Sequence, residues 1–186
     1  MSEFGWKGEE VRLVPLDEER HLERCLAWIN DPEVTRWTLS GDFPASRSMQ
    51  REWLLERSSR GGDRDVVFAI ETLDGEHVGN TGIHAIDWRN RHATTGTMIG
   101  VRDRWGQGLG TDTIRTRSRY AFDVLGLRLL MTEVMEPNVG SLKALTKAGF
   151  DEAGCIPKKW WKRGAWHDSI LMVQTADDWR ASRGGA

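Results

Sequence analysis

Glycines stand at alternate positions 106, 108 and 110 in Val101-Arg-Asp-Arg-Trp-Gly-Gln-Gly-Leu-Gly-Thr111, and the hydrophobic period changes across this stretch. Upstream, Met98, Ile99 and Val101 form an apolar run that favours a strand. Downstream, Ile114, Ser118, Ala121, Phe122 and Leu125 share one helical face. A strand turning through three glycines into a helix constrains the fold more than any other feature. A backbone without Cβ atoms can turn sharply and bring its N–H groups close to a ligand. The helix start adds unpaired N–H groups and the positive end of its dipole, so the loop suits an anion. Taken alone, the same loop also fits a plain strand–helix turn.

The rest of the chain supplies the layers around this unit. Glu10–Leu16 reads as an edge strand, followed by a helix capped by Asp17 and running to about Ile29, with Leu22, Leu26 and Ile29 as its stripe. Asn30-Asp31-Pro32 ends it, and Pro32 starts a short second helix through Trp37. Ser46 caps a third helix over about Arg47–Arg60, which Gly61-Gly62-Asp63 closes. Strands are expected over Asp65–Thr72, over His77–Trp88 with a bulge or bend at Gly79 and Gly82, and over Ala93–Val101. After the glycine loop come a helix to Leu125, a strand over Leu127–Met135 and a helix over Val139–Ala148. Strands over Asp151–Ile156 and Trp166–Thr175 follow. This order describes a mixed sheet flanked by helices, a single α/β or α+β domain over residues 1–186.

Composition excludes several function classes. The formal net charge of −2 argues against nucleic acid as the main partner. Cys25 and Cys155 form neither a CxxC motif nor a cluster with histidine at metal spacing, so no metal site is expected. No apolar run reaches the roughly 18 residues of a membrane span, and a cytoplasmic protein is the expectation. No Gly-Lys-Ser/Thr follows the glycine loop, which excludes a phosphate-loop NTPase, and no G-x-S-x-G elbow supports a serine hydrolase.

Further segments fall into a known order. They are Trp28-Ile-Asn-Asp-Pro-Glu-Val34, Phe68-Ala-Ile70 with Asp74-Gly75, Asn90-Arg-His-Ala93 with Gly96, and Trp105-Gly-Gln-Gly-Leu-Gly-Thr111. Asn138-x-x-Ser141 with Lys147-Ala-Gly-Phe150 and Arg163-Gly-Ala-Trp-His-Asp168 complete it. In this order and spacing the chain resembles the GNAT-superfamily N-acetyltransferases, in the branch of the Rim-type ribosomal-protein and spermidine acetyltransferases. The resemblance covers nearly the whole chain. It implies the GNAT fold: a mixed, mostly antiparallel sheet in which two parallel strands splay apart to bind acetyl-CoA. It implies transfer of the acetyl group to a primary amine by direct attack in a ternary complex. The acceptor is a protein N-terminal α-amine or a small-molecule amine, and a homodimer is compatible with the family.

The resemblance places the cofactor on Ile99, Val101, Arg104, Gln107, Gly108, Leu109, Gly110 and Thr111, and on Asn138, Ser141 and Lys147. The diphosphate suits the amides at the helix start, and the pantetheine amides can pair with the edge of Met98–Val101 like an added strand. The chain departs from the family at three places. Trp105 replaces the usual Gln or Arg of the loop. Leu145 stands where many relatives carry an acidic tyrosine, and Thr94 where relatives often carry a glutamate. Ser141 is the substitute candidate for protonating the departing thiolate.

For the base, Glu133 is the first candidate, as a lone carboxylate in an apolar strand whose burial would raise its pKa. His84 and Asp87 are the alternatives, and with Trp37 they are expected at the acceptor. Ala27–Arg60 and Trp160–Trp166 should wall that site. His167 and Asp168 look like an acid–base pair but as neighbours on a strand they point to opposite faces. A catalytically silent fold that binds acyl-CoA as a sensor is the competing reading, motivated by Leu145 and Thr94.

Overall fold

The computed structural model describes residues 6–59 and 63–183; the expected end of the third helix at Arg60 and the Gly61-Gly62 stop lie outside them. Eight strands form one sheet: β1 (Trp6–Lys7), β2 (Val11–Pro15), β3 (Val66–Thr72), β4 (His77–Asp87), β5 (His92–Ile99), β6 (Leu129–Met135), β7 (Asp151–Lys162) and β8 (Ala165–Thr175). Their order across the sheet is β1-β2-β3-β4-β5-β6-β8-β7. Every neighbouring pair is antiparallel except β5 and β6. The expected mixed, mostly antiparallel sheet with one parallel pair is thus the observed one.

Helices α1 (Glu18–Ile29), α2 (Arg47–Ser59), α3 (Leu109–Arg119), α4 (Val139–Lys147) and α5 (Ala176–Arg183) flank the sheet. Asp17 caps α1 by accepting the Arg20 N–H, and Ser46 Oγ accepts the Met49 N–H at the start of α2. The buried stripe of α1 is His21, Leu22, Cys25 and Trp28; Leu26 and Ile29, expected in it, lie at its margin. The main core, including Ile83, Ala93, Ile114, Leu130, Val134, Leu145 and Phe150, fills the space between the sheet and α3, α4 and α5.

Four expectations need correction. Pro32–Trp37 forms turns, because Asp31 and Thr35 side chains take up the local backbone groups (Glu33 N–H to Asp31 Oδ1 at 2.8 Å, Thr35 Oγ1 to Asp31 O at 2.8 Å) in competition with a helical ladder. The register breaks of β4 fall between Ile70 and Glu71 of its β3 partner, beside Gly79, and between His84 and Asp87, while Gly82 pairs regularly with Gly96. Strand β7 continues through Pro157, which falls on the edge strand where its register with β8 shifts between Ile156 and Trp160, so no regular ladder bond is lost there. Finally, α5 follows β8 directly, with Thr175 Oγ1 accepting the Asp178 N–H at 3.1 Å.

Candidate active site

Strands β5 and β6 pair only from His92–Thr94 to Leu129–Met131, although β5 runs on to Ile99 and β6 to Met135. The strands therefore part and leave a wedge. Thr95 Oγ1 closes its apex by donating to Met131 O at 3.3 Å. On the other side of β5, Gly100 N–H donates to Val78 O at 2.8 Å. Alternation then turns the amides of Thr97 and Ile99 into the wedge. Ile99 O is already taken by Trp105 Nε1 at 2.8 Å, which leaves the Thr97 amide and the Ile99 N–H. At Val101, also expected at the cofactor, the N–H leans toward Val78 O at 3.5 Å.

The glycine loop stands at the wide end of this wedge. Gly106 and Gly108 have φ of +77° and +92°, and a Cβ at either would meet open space. The N–H groups of Gln107, Gly108, Leu109, Gly110 and Thr111 find no acceptor among the described residues; the first intrahelical bond is Asp112 N–H to Gly108 O. These amides converge at the start of α3, so the loop has the free donors and the room that a diphosphate requires. Gln107 folds its side chain back on Asp103 O at 2.8 Å and offers only its amide. Arg104, expected at the phosphates, is instead bound to Glu76 at 3.0 Å.

Across the wedge, Asn138 Oδ1 caps α4 by accepting the Ser141 N–H at 3.2 Å. Ser141 is half-buried at the start of this helix, and its hydroxyl has no partner among the described residues. Lys147 lies at the other end of α4, where Arg115 bonds its carbonyl. Leu145 is 3% exposed within the core, so the tyrosine position of relatives is here a packing position. Tyr120 packs edge-on against Trp6 and Phe68.

Glu133 departs from its expected state. Its carboxylate binds Lys159 Nζ and accepts Ser169 Oγ at 2.7 Å. Burial pushes its pKa up, but these two partners outweigh it and hold the carboxyl below its ordinary value. A carboxylate whose oxygen is engaged by an ammonium and a hydroxyl, with its pKa lowered, is a weaker general base than a free one. Asp87 is a turn builder, accepting Asn90 N–H and Nδ2 at 2.8 Å each, at the end of β4 opposite the open end of the wedge. Its expected acceptor role is not supported by that place. His84 bonds Asp65 through Nδ1 at 3.0 Å, and burial, the largest influence, lowers its pKa. Trp37 meets His167 edge-on at 5.1 Å, joining the 30–45 segment to the β7–β8 hairpin. Lys162 (to Ser40 O, 3.1 Å, and Asp42) and Arg163 (to Pro32 O) tie the same two segments. His167 and Asp168 do diverge: the first bonds Lys162 O and the second Lys158 N–H.

One charged residue escaped the sequence reading. Arg117, 1% exposed, donates from Nη1 to Thr81 Oγ1 (3.0 Å), Gly96 O (3.0 Å) and Thr97 Oγ1 (2.7 Å), behind the wedge strand. No carboxylate pairs with it among the described residues, and burial pushes it down to about 9. The available signal was its place on the stripe of Ile114, Ser118 and Ala121.

An acetyltransferase (GNAT) domain profile matches residues 10–151 of the chain. An uncharacterized N-acetyltransferase, p20, of Bacillus licheniformis is 28% identical over 151 residues, covering 80% of this chain and 83% of its own. The prophage-derived uncharacterized N-acetyltransferase YokL of Bacillus subtilis (strain 168) is 27% identical over 180 residues, 96% of this chain and 97% of its own. Among solved structures, the spermidine N-acetyltransferase of Vibrio cholerae in complex with CoA and spermine superposes with a TM-score of 0.82 over 92% of this chain and 98% of its own. At 18% identity, that is a likeness of fold. With the domain profile spanning most of its length and the split parallel pair in its sheet, the chain belongs to the GNAT acetyltransferase family and is an acetyl-CoA-dependent N-acetyltransferase.

Proposed function

We propose that the protein acetylates a primary amine, either a protein N-terminal α-amine or a small monoamine, by direct attack on acetyl-CoA in a ternary complex. The observation that carries this reading is the parting of β5 from β6 beyond Thr94 and Met131, with unpaired amides along the wedge and at the head of α3. Acetyl-CoA is here a substrate. Its diphosphate would rest on the amides from Gln107 to Thr111, and its pantetheine arm along Thr97 and Ile99. The wedge amides would polarise the thioester carbonyl, and Ser141 would hydrogen-bond the departing sulfur.

Charge pairing narrows the acceptor. Glu133 is neutralised by Lys159, Asp42 by Lys162, and Asp31 lies 4.0 Å from Arg102. A polycation such as spermidine needs several uncompensated carboxylates, so this pairing favours an amine of low positive charge. The motif resemblance to the Rim-type branch agrees with that preference.

Calorimetric titration with coenzyme A, then thiol release from acetyl-CoA with a free-α-amine peptide, tryptamine and spermidine, tests the reading. Micromolar binding and turnover with the peptide or tryptamine are expected. Binding without turnover of any amine would favour the silent acyl-CoA module; spermidine as the preferred acceptor would refute the charge argument.

A further inference from the structure

We propose that His84 is the general base of the transfer, held by Asp65, and that it takes over the task for which Thr94 lacks a carboxylate. The inference rests on the acetyltransferase reading above and assigns a residue within it.

His84 lies directly across from Thr94, the place where relatives often carry glutamate, so its side chain stands on the same face one strand away. Nδ1 lies 3.0 Å from Asp65 Oδ1. A carboxylate can only accept there, so the proton sits on Nδ1 and Nε2 carries the lone pair. Nε2 has no hydrogen-bond partner among the described residues. A Cβ built on Gly82 would come within 2.2 Å of Nε2, which shows the imidazole leaning along β4 over Gly82, toward the open end of the wedge. Gly82 pairs with Gly96, where an added Cβ would meet nothing within 4 Å. The free nitrogen thus borders a bare floor of two glycines, the second of them on β5 just beyond the point where β5 leaves β6.

Local structure keeps this dyad in place. The register of β4 breaks just past His84, with Ala85 at φ +50°, and Asp65 Oδ1 lies 3.4 Å from the Ala85 N–H. Bulges of this kind recur beside active sites because they re-aim a side chain. Arg57 from α2 binds the other oxygen of Asp65 at 3.1 Å. The charged groups whose fields reach His84 are Asp65, Arg57 and, from α3, Arg117; burial, helped by the two cations, outweighs Asp65 and lowers the ring's pKa from its ordinary value.

An ammonium acceptor gives one proton to Nε2, which releases it to solvent. The neutral amine nitrogen then bonds the thioester carbon, its second proton passes to Nε2, and the carbon–sulfur bond breaks. The products are the amide and, after the thiolate regains that proton, free coenzyme A.

The test is His84→Ala, assayed with the wild type on the free-α-amine peptide and tryptamine. The expected result is a fall of about 100-fold or more in kcat/KM with the Kd for coenzyme A within twofold of wild type. Added imidazoles should restore the rate in proportion to their basicity, a response that a merely structural histidine does not give. Turnover within threefold of wild type, or a loss that no imidazole restores, overturns the assignment and leaves the acetyltransferase reading standing. A wild type that binds acetyl-CoA and acetylates none of the amines overturns both.

Discussion

Replacing Gly108 by alanine asks whether the loop conformation is what binds the cofactor. The residue sits at φ +92° and ψ −15°, where a Cβ costs about 1–2 kcal/mol through its own backbone. No neighbour adds to that, since a Cβ there meets nothing within 4 Å. The strain can appear in only two places. If the free loop keeps its shape, unfolding free energy falls by about 1–2 kcal/mol and affinity is unchanged. If the free loop relaxes, stability is kept and the Kd for coenzyme A rises about 5- to 30-fold, because binding must restore the strained shape. The two losses, from urea unfolding and calorimetric titration, should therefore sum to about 1–2 kcal/mol. Gly110→Ala is the control: it is helical, its Cβ would lie 3.9 Å from Ala144 Cβ, and alanine gains up to about 1 kcal/mol of helix propensity. Losses summing to less than about 0.3 kcal/mol in Gly108→Ala, against this strain scale, would refute the claim that a left-handed turn presents the amides.

Three further outcomes are expected. Asp112 accepts the N–H groups of Glu9 (3.1 Å), Glu10 (2.8 Å) and Val11 (2.9 Å), tying the start of β2 to α3. Asp112→Ala leaves the buried Val11 N–H orphaned and should lower unfolding free energy by about 2–4 kcal/mol in urea titration; a loss below about 1 kcal/mol would mean the strand is anchored otherwise. Burial, the largest influence, lowers His77 from 6.5 to about 4, so the unfolded chain protonates first as pH falls. Stability should be level above pH 6.5 and drop by about 3 kcal/mol on the way to pH 4, with His77→Asn flattening the slope of the urea midpoint against pH; an unchanged slope would refute this. Glu133→Gln should cost less than about 1 kcal/mol of stability, because the pair with Lys159 is one-third exposed, and should change turnover less than threefold. A large loss of turnover would return Glu133 to the chemistry.

Much of this molecule was legible one segment at a time. The caps at Asp17 and Ser46, the stop at Asn30-Asp31-Pro32 and the glycine turn all depend on residues within a few positions of one another. Local sterics and local hydrogen bonds settle them whatever the rest of the chain does. Leu145 and Thr94 were legible in the same way as departures, because a motif fixes which side chain occupies which position.

The state of each functional group was decided elsewhere. Glu133 looked like a buried base until Lys159, 26 residues on, came to lie against it. Asp87 and His84 were equal candidates on one strand, and only the pairing of β4 with β5 put the first in a turn and the second opposite Thr94. Arg117 reads as one more charge in a helix until α3 packs under the wedge and removes it from water. A side chain's type is local, but its partners, its solvent and therefore its charge belong to residues that only the folded sheet brings near. That a strand runs through a glycine turn into a helix follows from neighbouring residues alone; which nitrogen is left free beside it depends on strands brought together from far along the chain.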